Sequence, residues 1–161
     1  MTDTTSKSLV KEVLDRVKMG VVSTVNKEGH PQSALVYFYA DDNFNIYFAT
    51  FSNSRKYANL GGNKMVAFNV SDVEDPRTVQ LEGVAEEVKK NVNAMEVLER
   101  LSQILGINND YFAPLTQIGE IGTVVIRIKP TYIRLGDFAF IPIDGVKEDL
   151  FHTVVMKEEG K

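Results

Sequence analysis

The densest set of chemically useful groups in the 161-residue sequence is Thr50-Phe51-Ser52-Asn53-Ser54-Arg55-Lys56. Hydroxyls and two adjacent cations stand where a strand-forming run gives way to helix-forming residues. A helix start offers unpaired N–H groups and a partial positive charge, Arg adds a planar fork of donors and Lys a point charge. Together they match a phosphate monoester dianion. The same residues also read as solvated charges on a short exposed helix. Elsewhere the sequence holds no P-loop, G-x-S-x-G elbow, dinucleotide glycine fingerprint or H-E-x-x-H pair. His30 and His152 are the only histidines and read as surface or packing residues. Asp41-Asp42 and Glu74-Asp75 read as turns. The absence of cysteine removes disulfides, thiolate zinc sites, iron–sulfur clusters and thiol nucleophiles. No metal site is expected.

The elements that must position the cluster follow from periodicity. Leu9, Val10, Val13, Leu14 and Val17 recur at helical spacing until Gly20. Beyond it the period becomes two, through 21–25, a turn at 26–29 and a run over 33–39, which predicts a hairpin. After Asp41-Asp42-Asn43, residues 45–50 give a third strand, so three strands in series predict a meander. A helix of two turns or fewer is expected over 55–60, closed by Gly61-Gly62. Strands over 65–70 and 77–88 follow, with Gly83 marking a bend or bulge. Asn93 and Glu96 form a capping-box pattern ahead of an inserted helix over 93–105. A loop with Asn108, Asn109 and Pro114 leads to a strand over 123–129, which Pro130 is expected to break before Tyr132-Ile133-Arg134-Leu135. Residues 139–161 keep apolar side chains without a period and are expected to be an extended tail packed on the body or on a partner chain.

Length and composition bound the rest. With 43% hydrophobic and 25% charged residues the chain reads as one globular domain spanning 1–161: an N-terminal helix within 1–20, a barrel over 21–138 and the tail over 139–161. A net charge of -4 argues against a general nucleic-acid or anionic-membrane surface. No apolar run approaches the roughly 18 residues of a membrane span. The opening MTDTTSKS lacks the basic-then-apolar order of a signal peptide, so a cytoplasmic location is expected.

Several of these pieces occur in a particular order: Gly20-Val-Val-Ser-Thr-Val, the Gly29-His-Pro turn, Ile46-Tyr-Phe-Ala-Thr50, Ser54-Arg-Lys56, Val66-Ala-Phe68 and Val79-Gln-Leu-Glu-Gly83-Val-Ala-Glu. Over residues 19–90, and more weakly 122–138, the sequence resembles the pyridoxamine 5'-phosphate oxidase-like family of flavin-binding split barrels. The resemblance implies a mainly β (α+β) fold: a closed, six-or-so-stranded antiparallel Greek-key split barrel with a few peripheral helices. It further implies a homodimer with FMN in a groove at the subunit interface. By position, Arg55 and Lys56 would hold the FMN phosphate with Ser54 assisting, and Ala49 and Thr50 would touch the cofactor beside them. Ser33, Ala34, Leu35 and Val36 would run along the isoalloxazine edge, and Thr78 would approach the ring or the ribityl chain. Arg127, Arg134 and Phe138 would reach across the dimer, or else lie on an outward strand face and in the core. The true oxidase carries a basic residue opening the second strand and a C-terminal Arg and His. Here Ala34 and the segment Arg134-Leu-Gly-Asp-Phe138 stand in those regions, so the resemblance is to the smaller general-stress and nitroimidazole-resistance type relatives. The implied activity is FMN-dependent oxidoreduction of a small molecule, with a reduced nicotinamide as electron donor. The alternatives are a flavin-binding stress protein without turnover, or a split barrel holding deazaflavin or haem.

Overall fold

A computed structural model describes residues 3–88, 92–106, 122–138 and 150–154. The elements are α1 (Asp3–Arg16), β1 (Met19–Val25), β2 (Pro31–Tyr37), β3 (Tyr39–Ala40), β4 (Ile46–Phe51), α2 (Arg55–Gly62), β5 (Met65–Asp72), β6 (Arg77–Val88), α3 (Val92–Gly106), β7 (Thr123–Asp137) and β8 (Phe151–Val154). The strands form one antiparallel sheet in the order β2-β1-β5-β6-β7-β4-β3, with β8 added on β7. Only Phe38 separates β2 at one margin from β3 at the other, so the sheet must curl until its margins meet. The result is the expected mainly β split barrel with six principal strands and three helices.

Alternation drives the curl. β5 alternates exposed and buried positions along its whole length, with Val66, Phe68 and Val70 inward. Phe38, Phe48, Phe68, Ile46, Leu81, Ile126, Ile128, Ile133 and Leu135 fill the interior, and Phe38 meets Phe68 edge to face at 5.0 Å between ring centres. α1 inserts Val10, Val13 and Leu14 at one end. α2 contributes Leu60 and the partly buried Tyr57 at the other.

Several expectations need correction. The first three strands are not a meander: β1 pairs with β2, but β4 pairs with β7 and β3. Among the described residues no ladder joins β2 to β4, because the chain crosses the seam of the barrel at Phe38 instead of turning back beside β2. α1, Asp3–Arg16, lies within the expected 1–20 segment. Gly61 and Gly62 do not stop α2 but form its last turn, and the cap falls on Asn63, whose N–H donates to the Asn59 carbonyl at 2.9 Å. Pro130 does not break β7, which runs unbroken for 15 residues. The register with β6 slips there: Glu82 faces Tyr132 while Gly83 faces Pro130, leaving Thr131 as the extra residue of a bulge. Gly83 is needed at this point because a Cβ would run into the Lys129 carbonyl oxygen.

The inserted helix is present as α3, but it starts one residue before Asn93, and residues 89–91 lie outside the described set. Glu96 instead accepts a bond from Arg100 at 3.0 Å. Of the tail, Phe151–Val154 form β8 against β7, so this part packs on the body. The loop at 107–121 and the tail residues 139–149 and 155–161 lie outside the described residues. Among the described residues, no helix is long and apolar enough to cross a membrane.

Candidate functional site: the α2 mouth of the barrel

β4 carries Thr50 to the rim of the barrel, where a turn over 52–54 passes the chain into α2. Ser52 N–H donates to the Gly122 carbonyl at 2.7 Å and Ser54 N–H to the Phe51 carbonyl at 3.0 Å, which fixes this turn against the start of β7. Ser54 is the N-cap, in extended conformation, and its hydroxyl accepts from Tyr57 N–H at 3.3 Å.

The hydroxyls and cations meet here. Thr50 Oγ1 lies 3.0 Å from Ser54 Oγ, and Lys56 Nζ donates to Thr50 Oγ1 at 3.1 Å. Thr50 is buried and Lys56 half-buried, whereas Arg55 is exposed on the opposite flank of the helix start. Burial pushes the Lys56 ammonium below the ordinary lysine range, and the neighbouring charge of Arg55 adds to the effect. Among the described residues neither cation has a carboxylate partner. Two positive charges without a counter-ion, one of them partly desolvated, bracket a helix N-terminus. That arrangement favours an anion.

Other expected site residues are placed as follows. β2 is a margin strand. Ala34 and Val36 face inward, Ser33 and Leu35 face outward, and among the described residues its second edge has no ladder partner. The Ser33 hydroxyl lies 2.8 Å from that of Ser23. Ala49 points away from Thr50, into a small cluster with Val97, Leu101 and Val125 beneath α3, so only its backbone is on the site's side. Thr78 is not brought to the cluster. It faces Ser71 and Gly136 at the α1 end, and its buried hydroxyl has no hydrogen-bond partner. Arg127 is held by Glu86, with Nε to Oε1 at 2.9 Å. Arg134 lies over the Phe151 ring at 4.1 Å, and Phe138 meets that ring edge to face at 5.6 Å.

One element was not anticipated. Asn59, one turn after Arg55, donates through Nδ2 to Thr24 Oγ1 at 2.9 Å and Gln32 Oε1 at 3.1 Å, tying α2 to the β1–β2 hairpin. A groove of about 810 Å³ opens between that hairpin's turn and α2, with Arg55 on its wall. The i, i+4 spacing of Arg55 and Asn59 was the available signal, since it puts both on one helix face.

Comparison with known protein families matches residues 7–136 to pyridoxamine 5'-phosphate oxidase. The chain belongs to the pyridoxamine 5'-phosphate oxidase family. No curated protein matches it. Among solved structures, the general stress protein 26 from Bacillus anthracis str. Sterne is 23% identical, with 80% of this chain and 92% of that one covered and a TM-score of 0.60. An F420 reductase is 26% identical, with 76% and 94% covered and a TM-score of 0.59. HutZ, the haem storage protein from Vibrio cholerae, is 18% identical, with 76% and 88% covered and a TM-score of 0.59. Solved proteins that share this barrel are thus named for different ligands, and the fold alone does not select among them.

Proposed function

We propose that this chain is an FMN-dependent oxidoreductase acting on a small molecule, with its cofactor anchored at the α2 mouth. The observation that carries this reading is the half-buried Lys56 ammonium, bonded to Thr50 and without a carboxylate partner among the described residues. The residues fit the cofactor's anionic end. Lys56 and Arg55 would flank the phosphate, while Thr50 and Ser54 would accept and donate beside it. The unladdered edge of β2 offers N–H and C=O groups at regular spacing to a flat heterocycle. Bound flavin would supply two-electron transfer between a reduced nicotinamide and an acceptor.

The cofactor site would be completed by a second copy of the chain. Outward positions of β1, β2 and β5, including Met19, Val21, Leu35, Met65, Ala67 and Asn69, carry no charge in a chain that is 25% charged. Met19, Leu35 and Met65 are 43%, 56% and 51% exposed. An uncharged face with exposed large apolar side chains suits a homodimer interface. It would also give Thr78, remote from Lys56 in its own chain, a cofactor to approach in the partner.

The test is direct. Purified protein is expected to be yellow and to release FMN on denaturation, and the ligand-free form to quench FMN fluorescence stoichiometrically. A colourless protein that binds no flavin on titration overturns the reading. Anaerobic mixing with reduced nicotinamide should bleach the flavin at a catalytic rate, and absence of bleaching would leave a flavin carrier. Light scattering is expected to give twice the chain mass.

A further inference from the structure

We propose that Asn59 is a positioning residue for the cofactor: it holds the phosphate anchor at the start of α2 at a set separation from β2, so that one bound molecule can satisfy both. The inference rests on the flavin reading above and concerns the same site.

The two halves of that site belong to opposite margins of the sheet. Thr50, Ser54 and Lys56 go with β4, because the turn over 52–54 carries them and Ser52 N–H pins that turn to the Gly122 carbonyl at the start of β7. The ring edge, Ser33 to Val36, lies on β2. These margins face each other across the seam, and among the described residues no ladder joins β2 to β4. At the α1 end Phe38 bridges the seam covalently, with its N–H donated to the Lys18 carbonyl at 3.1 Å. At the α2 end, backbone pairing leaves the separation of the two margins unset.

Asn59 supplies a tie there. Its Nδ2 lies 2.9 Å from Thr24 Oγ1 and 3.1 Å from Gln32 Oε1, and Thr24 and Gln32 stand directly opposite each other on β1 and β2. Among the described residues these are the hydrogen bonds that join α2 to the hairpin. Thr24 is 1% exposed, and a hydroxyl both donates and accepts, so Asn59 satisfies it whichever way either amide is turned. Without Asn59 that buried hydroxyl keeps only a long contact, 3.5 Å, to the Gln32 carbonyl. Gln32 precedes Ser33, so the tie meets β2 one residue before the ring edge. The other side-chain bond from α2 to a strand of the barrel wall runs from Tyr57 OH to Glu87 at 2.7 Å; it holds the helix to β6, which ladders through β7 to β4 and does not reach β2. A flavin's phosphate and ring are joined by a chain of limited reach. A shift of the anchor by about 1 Å therefore either loses phosphate bonds or draws the ring off β2, whose N–H and C=O groups tune the flavin only while it lies against them.

The test measures FMN affinity by fluorescence titration, together with the visible spectrum and reduction potential of the saturated flavin, on the whole chain and on variants of nearly unchanged shape. Asn59→Leu is expected to weaken FMN about tenfold and Thr24→Val about threefold or more, as the loss of a bond to a buried hydroxyl allows. In both, the absorption bands and potential of bound FMN should move toward those of free FMN. Tyr57→Phe, which releases the same helix from β6 alone, should change affinity less than about threefold and leave spectrum and potential in place. Affinity within about threefold of wild type in Asn59→Leu overturns the proposal. So does weaker binding with the spectrum and potential of bound FMN unchanged, which would make Asn59 a structural residue of α2 and nothing more. If Asn59→Leu melts early, Thr24→Val, which alters no helix residue, decides by the same readouts. If the wild-type chain binds no flavin, the flavin reading itself fails and this inference falls with it; if it binds FMN and the Asn59 variant behaves as the wild type does, only this inference fails.

Discussion

The two ends of the barrel are both rich in charge, and they use it in opposite ways. At the α1 end Arg16 Nε bonds Asp72 and its NH2 reaches Asp75 at 2.9 Å, while Arg77 pairs with Asp75 and, at 3.2 Å, with Asp137. Backbone N–H groups of Glu74 and Asp75 also point at Asp72, at 3.0 and 3.2 Å. Every partner needed to neutralise that end comes from the chain itself. At the α2 end, Arg55 lines an open groove and the half-buried Lys56 bonds Thr50, and neither has an acidic partner among the described residues. Charges paired within the chain hold a fold together, and charges left unpaired have capacity to bind. The ability to tell them apart lies in the partners of the charges, not in the number of charges.

The largest effect that would break this comparison concerns ligand binding. The double variant Arg55→Ala, Lys56→Ala should lose about 3 kcal/mol or more of flavin affinity, since each charge-assisted bond is worth about 1.5–3 kcal/mol. Its ligand-free melting temperature should hardly move, and unchanged affinity in fluorescence titration would refute the placement of the phosphate. The converse variant belongs to the other end. Asp72→Ala removes an ion pair and two turn bonds and should cost about 2 kcal/mol in urea unfolding, with flavin affinity unchanged in the refolded protein.

The pH dependence sharpens the contrast with smaller effects. Burial pushes the Asp72 carboxyl up, but the Asp75 N–H, the Arg16 guanidinium and the Glu74 N–H outweigh it and hold the group below its ordinary value. The Arg127 guanidinium does the same for Glu86. Lowered carboxyls stabilise the fold above their unfolded values of 3.8 and 4.5, and that stability is lost as pH falls through the folded ones. Asp72→Asn should therefore flatten the acid limb of a stability–pH curve measured by denaturant unfolding. Lys56 has the opposite sign of consequence. Its lowered value means the unfolded chain binds more protons just below 10.5, so ligand-free stability should rise with pH there. Lys56→Met should remove that rise and change stability near neutrality by no more than about 0.5 kcal/mol, the smallest effect of the set.

Much of this organisation was legible in the sequence because local chemistry and local structure agree. Ser54 caps α2 where hydroxyl preference places a cap, and Gly83 sits at a register slip where a strand glycine is expected to mark one. The failures share a cause, since each needed information from distant residues. Pro130 stays inside β7 because the slip opposite Gly83 accommodates it, and no property of residues 123–135 alone discloses Gly83. The false meander came from reading consecutive strands as paired, whereas β4 finds β7, some 75 residues later, as its partner. At the site, Thr50, Ser54 and Lys56 are near in sequence and were found together. Asn59, Thr24 and Gln32 meet through a tertiary contact between helix and hairpin, and periodicity is blind to it.

The single residue between β2 and β3 has a mechanical consequence. A trans peptide unit spans only about 3.8 Å from Cα to Cα. Phe38 therefore leaves no slack for one margin of the sheet to slide along the other, since a slip of even one pleat would demand chain that is not there. The cylinder is indexed as a threaded collar is by its pin, and any molecule lying along its seam meets β2 and β4 at a stagger set by covalent geometry.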